Sequence, residues 1–214
     1  MAVEKLDTQV RKEQIAQATL ELVAAGGLKK LNVAAVARRV GLVPSALYRH
    51  FKGKDEVLDA TLGLIQDKLF DNVRAVGEET DDALEQLHGL LMRHVRMIRE
   101  NRGIPQIIFS QDFYAGHPDR RGRVYRGIRS YLAEVARIVR DGREAGQVGQ
   151  EVDAEAAAVM FLGLVQPSAI LWHMSDGDFD VTRQAQRAWP LFLKAIQNGA
   201  ASPPETAERA KKEN

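Results

Sequence analysis

The chain has 214 residues, 45% hydrophobic and 28% charged, the profile of a globular protein able to bury a substantial core. It has no cysteine, which excludes a disulfide framework and a thiolate metal site and suits a reducing cytoplasm. The net charge of +1 hides a division: residues 1–54 hold ten Lys/Arg against four Asp/Glu, whereas residues 55–214 hold twenty against twenty-five. A basic head on an acidic body points to an anionic partner for the head. The opening "MAVEKLDTQVRKEQ" is too charged to serve as a signal peptide.

Glycine and proline are scarce inside long segments with helical periodicity, so the sequence predicts an all-α chain. The first helix is expected from about Thr8 to Ala25, with Ile15, Ala18 and Leu22 on one face and Gly26–Gly27 as its stop. A short helix follows over 33–40, capped by Asn32 and ended by Gly41. Another starts at Pro44, a residue suited to the first helical position, and is expected to reach Phe51. A longer helix opens at Lys54 or Asp55 and extends to about Val76.

In the body, Thr80, Asp81 and Asp82 begin a helix that ends near Asn101. Acids in a first turn suit the helix dipole, and no second acidic cluster completes a metal motif with Asp81, Asp82 and Glu85. From Pro118 a helix rich in arginine (Arg120, Arg121, Arg123, Arg126, Arg129, Arg137, Arg140) is read as a solvated face.

The stretch from Ala156 to Ser175 carries no charge. Gln166, Pro167 and Ser168 at its middle and acids at both ends argue against a membrane span. Such a helix buries one side on its own body and needs a partner for the other. With the last helix, over 181–198, it is expected to form a twofold interface of four helices, with Phe161, Leu164, Trp189, Phe192 and Ile196 as candidate interface residues. The segment "DGDFD" at 176–180 lacks the glycine and glutamate of a calcium loop and reads as a turn and cap. Residues 201–214 are polar and are expected to form a disordered tail.

The span "GLVPSALYRHFKGKDEV" at 41–57 carries the densest chemistry. Two short helices meet at a glycine, with Leu31, Val36, Val40, Leu42, Leu47 and Phe51 as the seam: a helix-turn-helix pattern. The second helix of such a unit enters the DNA major groove. Arg49 is the candidate reader of guanine and Ala46 of a thymine methyl, with Pro44, Ser45, Val33 and Ala34 nearby. Tyr48, His50 and Lys54 stand where phosphates would be met.

These residues also carry a family resemblance. The span "LNVAAVARRVGLVPSALYRHFKGKDEVLDA" resembles the DNA-binding domain of TetR-family transcriptional regulators over residues 8–60. Its Val43 departs from the serine the family often has there, and its side chain can neither cap nor bond a phosphate. The resemblance implies an N-terminal three-helix bundle at 1–56 and a larger helical domain at 57–200 for effector binding and dimerisation. It implies phosphate contacts at Tyr48, His50 and Lys54. It further implies a cytoplasmic homodimeric repressor on a palindromic DNA operator, released by a small-molecule effector. The alternatives are an activator of the same family, a helical enzyme, or an adaptor. No catalytic motif, metal set or cofactor fingerprint is present in the sequence. Candidate pocket residues are Phe109, Phe113, Tyr114 and His117, with Tyr125, Gln166, Trp172 and His173 on helices able to face them.

Overall fold

In a computed structural model, residues 8–197 are described, and every regular element among them is a helix. The expected tail at 201–214 lies outside the described residues. The first helix, α1 (Thr8–Gly26), buries Ile15, Leu20 and Val23, while Leu22 is only half-buried. A 3₁₀ turn (Leu28–Lys30) leads to α2 (Val33–Arg39), where the Asn32 side chain accepts the Ala35 amide at 2.9 Å. Gly41 follows at φ 69°, a conformation that a side chain resists, and so turns the chain into the next helix.

Helix α3 (Pro44–Leu47) starts with no side-chain cap at Val43. It is shorter than the expected span to Phe51. Beyond Leu47 the backbone tightens, with Arg49 N–H donating to the Ala46 carbonyl and His50 N–H to that of Leu47. Such i→i+3 bonds are common at helix ends. The tightening sets Phe51 into the core and leaves only Lys52 and Gly53 before α4.

Helix α4 (Lys54–Glu79) runs 26 residues without a break. Its first half packs Val57, Leu58, Leu62 and Ile65 with the core beneath α1–α3, and its second half packs Val73 and Val76 with the core of the remaining helices. Helix α5 (Ala83–Glu100) is capped by Asp82, whose carboxylate accepts the Leu84 and Glu85 amides, as a first-turn acid should.

Two short helices, α6 (Gly103–Ile108) and α7 (Gln111–Tyr114), fill a stretch where the sequence showed only an aromatic cluster. Helix α6 lies so close to α1 that a Cβ on Gly103 would sit 2.3 Å from the Leu20 carbonyl oxygen. Only glycine permits that approach.

Helices α8 (Pro118–Glu144), α9 (Ala154–Met174) and α10 (Val181–Gln197) complete the body. Asp180 closes the "DGDFD" turn by accepting the Arg183 amide at 3.0 Å. The body core joins Leu87, Leu90 and Leu91 of α5 to Tyr131 and Val135 of α8 and to Phe161, Phe192 and Ile196 of the last two helices. Helix α9 is long and apolar enough to cross a membrane by composition alone, but it packs between α8 and α10.

Candidate nucleic-acid interface and effector cavity

The outward face of α3 is set by its helical spacing. Leu47 points into the head core, so Pro44, Ser45, Tyr48 and Arg49 face solvent, Tyr48 at 54% exposure. Ala34 and His50 are half-buried at the same surface. Val33 and Ala46 are mostly covered, at 9% and 8% exposure, so little of either side chain reaches this surface. Val43, at the start of α3, is 64% exposed and presents an apolar surface that the sequence reading had set aside. The Lys54 ammonium donates to the Leu28 carbonyl at 2.8 Å and keeps two further protons for a phosphate.

Behind this surface, the arginine helix holds an exception to its solvated face. Arg120 is 2% exposed. Its Nε donates to Asp59 at 2.8 Å, and its Nη2 to the Asp55 carboxylate at 2.9 Å and carbonyl at 3.0 Å. Nη1 donates to the Phe113 carbonyl at 3.2 Å. Arg123 also pairs with Asp59, and His117 lies 3.1 Å from Asp55. Burial alone would raise the Asp59 pKa, but the hydrogen bonds and charges of Arg120 and then Arg123 outweigh it and hold the carboxyl below its ordinary 3.8. The first turns of α4 and α8 are thereby clamped together one residue beyond Lys54.

A cavity of about 120 Å³ opens farther along the same two helices. Its walls come from α4 (Leu62, Ile65, Gln66), α5 (His94, Met97), α6 and the following Phe109, α8 (Gly127, Ile128, Tyr131) and α9 (Val165, Gln166, Ala169). Of the eight expected pocket residues, Phe109 and Gln166 line it. The other six are placed elsewhere. Phe113 is fully buried under Arg120, and the Tyr114 hydroxyl is tied to the Ile108 carbonyl. His117 sits at the Arg120 clamp, and Tyr125 is 59% exposed. Trp172 is buried beneath Arg102, and His173 is exposed.

The cavity's polar groups are Gln66, Gln166 and the pair His94–Tyr131, whose Nδ1 and hydroxyl oxygen lie 3.2 Å apart. Of these, the sequence reading picked out only Gln166 for the pocket. Burial pushes the His94 pKa down to about 4 from 6.5 and that of Tyr131 upward. Between those two His94 values the unfolded chain takes up a proton that the folded chain refuses. The associated stability is therefore complete above pH 6.5 and lost as pH falls to about 4. The loss is on the order of 3 kcal/mol. Denaturant titrations of the wild type and His94→Gln across this range should diverge, with the variant showing the shallower decline.

The dimer candidates also divide. Phe161, Phe192 and Ile196 turn into the body core, and Leu164 and Trp189 are half-buried. The opposite face of α9 carries the exposed apolar side chains, Val159, Met160, Ile170, Leu171 and Met174, and α10 adds Leu191 at 73% exposure. Val159 and Met160 lie about three helical turns from Ile170 and Leu171, and Met174 one turn further, so they form one stripe.

A basic helix-turn-helix head, joined by one continuous helix to a helical body with an apolar cavity, defines a class of ligand-responsive DNA-binding protein. Residues 15–61 match the profile of bacterial regulatory proteins of the tetR family, and residues 80–196 match that of the tetracycline repressor-like C-terminal domain. The chain belongs to the TetR family of transcriptional regulators. The fatty acid metabolism regulator protein of Bacillus subtilis is 21% identical over 188 residues, covering 86% of this chain and 95% of that protein. The structure of Bacillus subtilis FadR in complex with stearoyl-CoA superposes with a TM-score of 0.68 at 19% identity, covering 86% of this chain and 98% of that one. A complex of SmeT with triclosan gives a TM-score of 0.70 at 22% identity, covering 91% and 96%.

Proposed function

We propose that this chain is a cytoplasmic homodimeric repressor, released from a palindromic operator when a small molecule enters the body cavity. Arg49, Ser45 and Pro44 would meet base edges, and Tyr48, His50 and Lys54 phosphates. One observation carries the reading: the cavity is walled by α4 and α8, the two helices that Arg120 clamps beside the head. A ligand that spreads those walls changes the angle at which α4 meets the head. In a dimer, that angle sets whether two recognition helices match half-sites about 34–36 Å apart. Ligand then favours the mismatched state by its differential affinity. The complexes of relatives with stearoyl-CoA and triclosan support a small-molecule trigger.

The stripe on α9 is the proposed subunit interface, continued by Leu191. The double change Ile170→Glu with Leu171→Glu should give a folded monomer by sedimentation, with unchanged helical circular dichroism, and operator affinity should fall at least tenfold. A variant that stays dimeric would place the interface elsewhere.

The release mechanism is tested by displacement of a bound, labelled operator duplex with a library of apolar small molecules that includes triclosan and stearoyl-CoA. Release by at least one compound, abolished in the cavity-filling variant Ala169→Phe, is expected. Binding that no compound disturbs would sink the ligand-released reading.

A further inference from the structure

We propose that the cavity takes an uncharged, single-ring aromatic molecule bearing one hydroxyl, held by a hydrogen bond to the ring nitrogen of His94 that Tyr131 leaves free. This deepens the effector reading above and rests on it only for the consequence at DNA, not for binding.

Size sets the first limit. The cavity measures about 120 Å³, and an apolar cavity of about 150 Å³ is known to hold benzene. A long acyl chain or a nucleotide cannot enter without a large rearrangement. Charge sets the second. No Asp, Glu, Lys or Arg lines the cavity, so a carboxylate entering it would lose its hydration with no counter-charge in return. His94 does not supply one, because its burial keeps it neutral at physiological pH.

Hydrogen bonding sets the third. His94 is 8% exposed, and its one hydrogen bond, through Nδ1, goes to Tyr131. Its other ring nitrogen has no protein partner among the described residues. A neutral imidazole has one donor and one acceptor nitrogen, and a ligand hydroxyl can meet either. Gly127 also lines the wall, on α8. A Cβ there would lie 2.4 Å from the Gln66 amide nitrogen, so glycine is what lets Gln66 lie across α8 at the cavity wall.

The test uses three molecules of one shape: p-cresol, toluene and p-toluate, measured by titration calorimetry on the purified dimer at neutral pH. Binding of p-cresol is expected. Toluene should bind about fivefold more weakly, the worth of one net hydrogen bond. No p-toluate binding should be detected. In His94→Leu, p-cresol and toluene should bind alike, and in Ala169→Phe neither should bind, with thermal melting checking that both variants fold.

Equal or tighter binding of p-toluate, a p-cresol advantage that survives His94→Leu, or no binding by any of the three overturns the proposal. Operator affinity is measured in parallel. If p-cresol binds as described but leaves operator affinity unchanged, the ligand class stands and the release mechanism fails. If stearoyl-CoA releases the operator while p-cresol does not bind, the reverse holds.

Discussion

Arg120→Ala is expected to lower stability by about 3 kcal/mol, since it removes a fully buried side chain together with its hydrogen bonds to two carboxylates and two backbone carbonyls. For a chain of this size, that is a fall of about 6–12 °C in melting temperature. The four acceptors left behind are Asp59, both the carboxylate and carbonyl of Asp55, and the Phe113 carbonyl. Arg120→Lys should recover only part of the loss, because an ammonium cannot reproduce the planar fork that reaches three residues at once. The variant separates two roles. If the clamp transmits the cavity's state, Arg120→Lys will bind operator but respond less to effector. If it only stabilises the fold, effector response will be intact at temperatures well below melting. The Asp59 contribution adds an acid signature. Because its carboxyl is held below 3.8, the stability it supplies is present above that pH and is lost as pH falls through the depressed value. Arg120→Ala should flatten that decline.

Arg49→Ala is expected to weaken operator binding by about 1–3 kcal/mol and to relax base preference at one position in each half-site. Arg49 is an exposed cation in the turn that directly follows α3, and a bidentate bond to guanine is the contact that the proposed docking gives it. Tyr48→Ala gives the contrast. A phosphate contact carries no sequence information, so that change should weaken binding to all duplexes alike. If Arg49→Ala also weakened all sequences equally, its side chain would be on the backbone and the docking of α3 would have to be turned.

The head was legible because its signals are local. Asn32 caps α2 and Pro44 opens α3, while Gly41 supplies the positive φ between them, and each answers a steric or hydrogen-bonding demand within a few residues. The same locality left the burial of Val33 and Ala46 unread. Small apolar residues fit a groove and a core equally well, and only the packed head shows which face they take.

The body was less legible. Beyond Glu155, helix α9 carries no charge and has no polar stripe to mark its outside, so the sequence could suggest a partner without naming the face. The large aromatics Phe161 and Phe192 went to the core, where they bury the most area, and the exposed face of α9 was left to residues such as Met160, Ile170 and Leu171. Arg120 could not be told from its neighbouring arginines, because its carboxylate partners lie 61 and 65 residues earlier in the chain. Helices α6 and α7, of 6 and 4 residues, are too short to show a period. The His94–Tyr131 pair joins α5 to α8 through tertiary packing alone, with no spacing that could announce it.

The central claim is that the chain reads a specific twofold DNA site through α3. Its most direct test is selection of bound duplexes from a random pool by the purified protein, stripped of bound small molecules, at near-physiological salt. An enriched palindrome with half-site centres about one helical turn apart, lost in Arg49→Ala, is expected. A pool that stays random, with only weak and strongly salt-dependent binding, would contradict it.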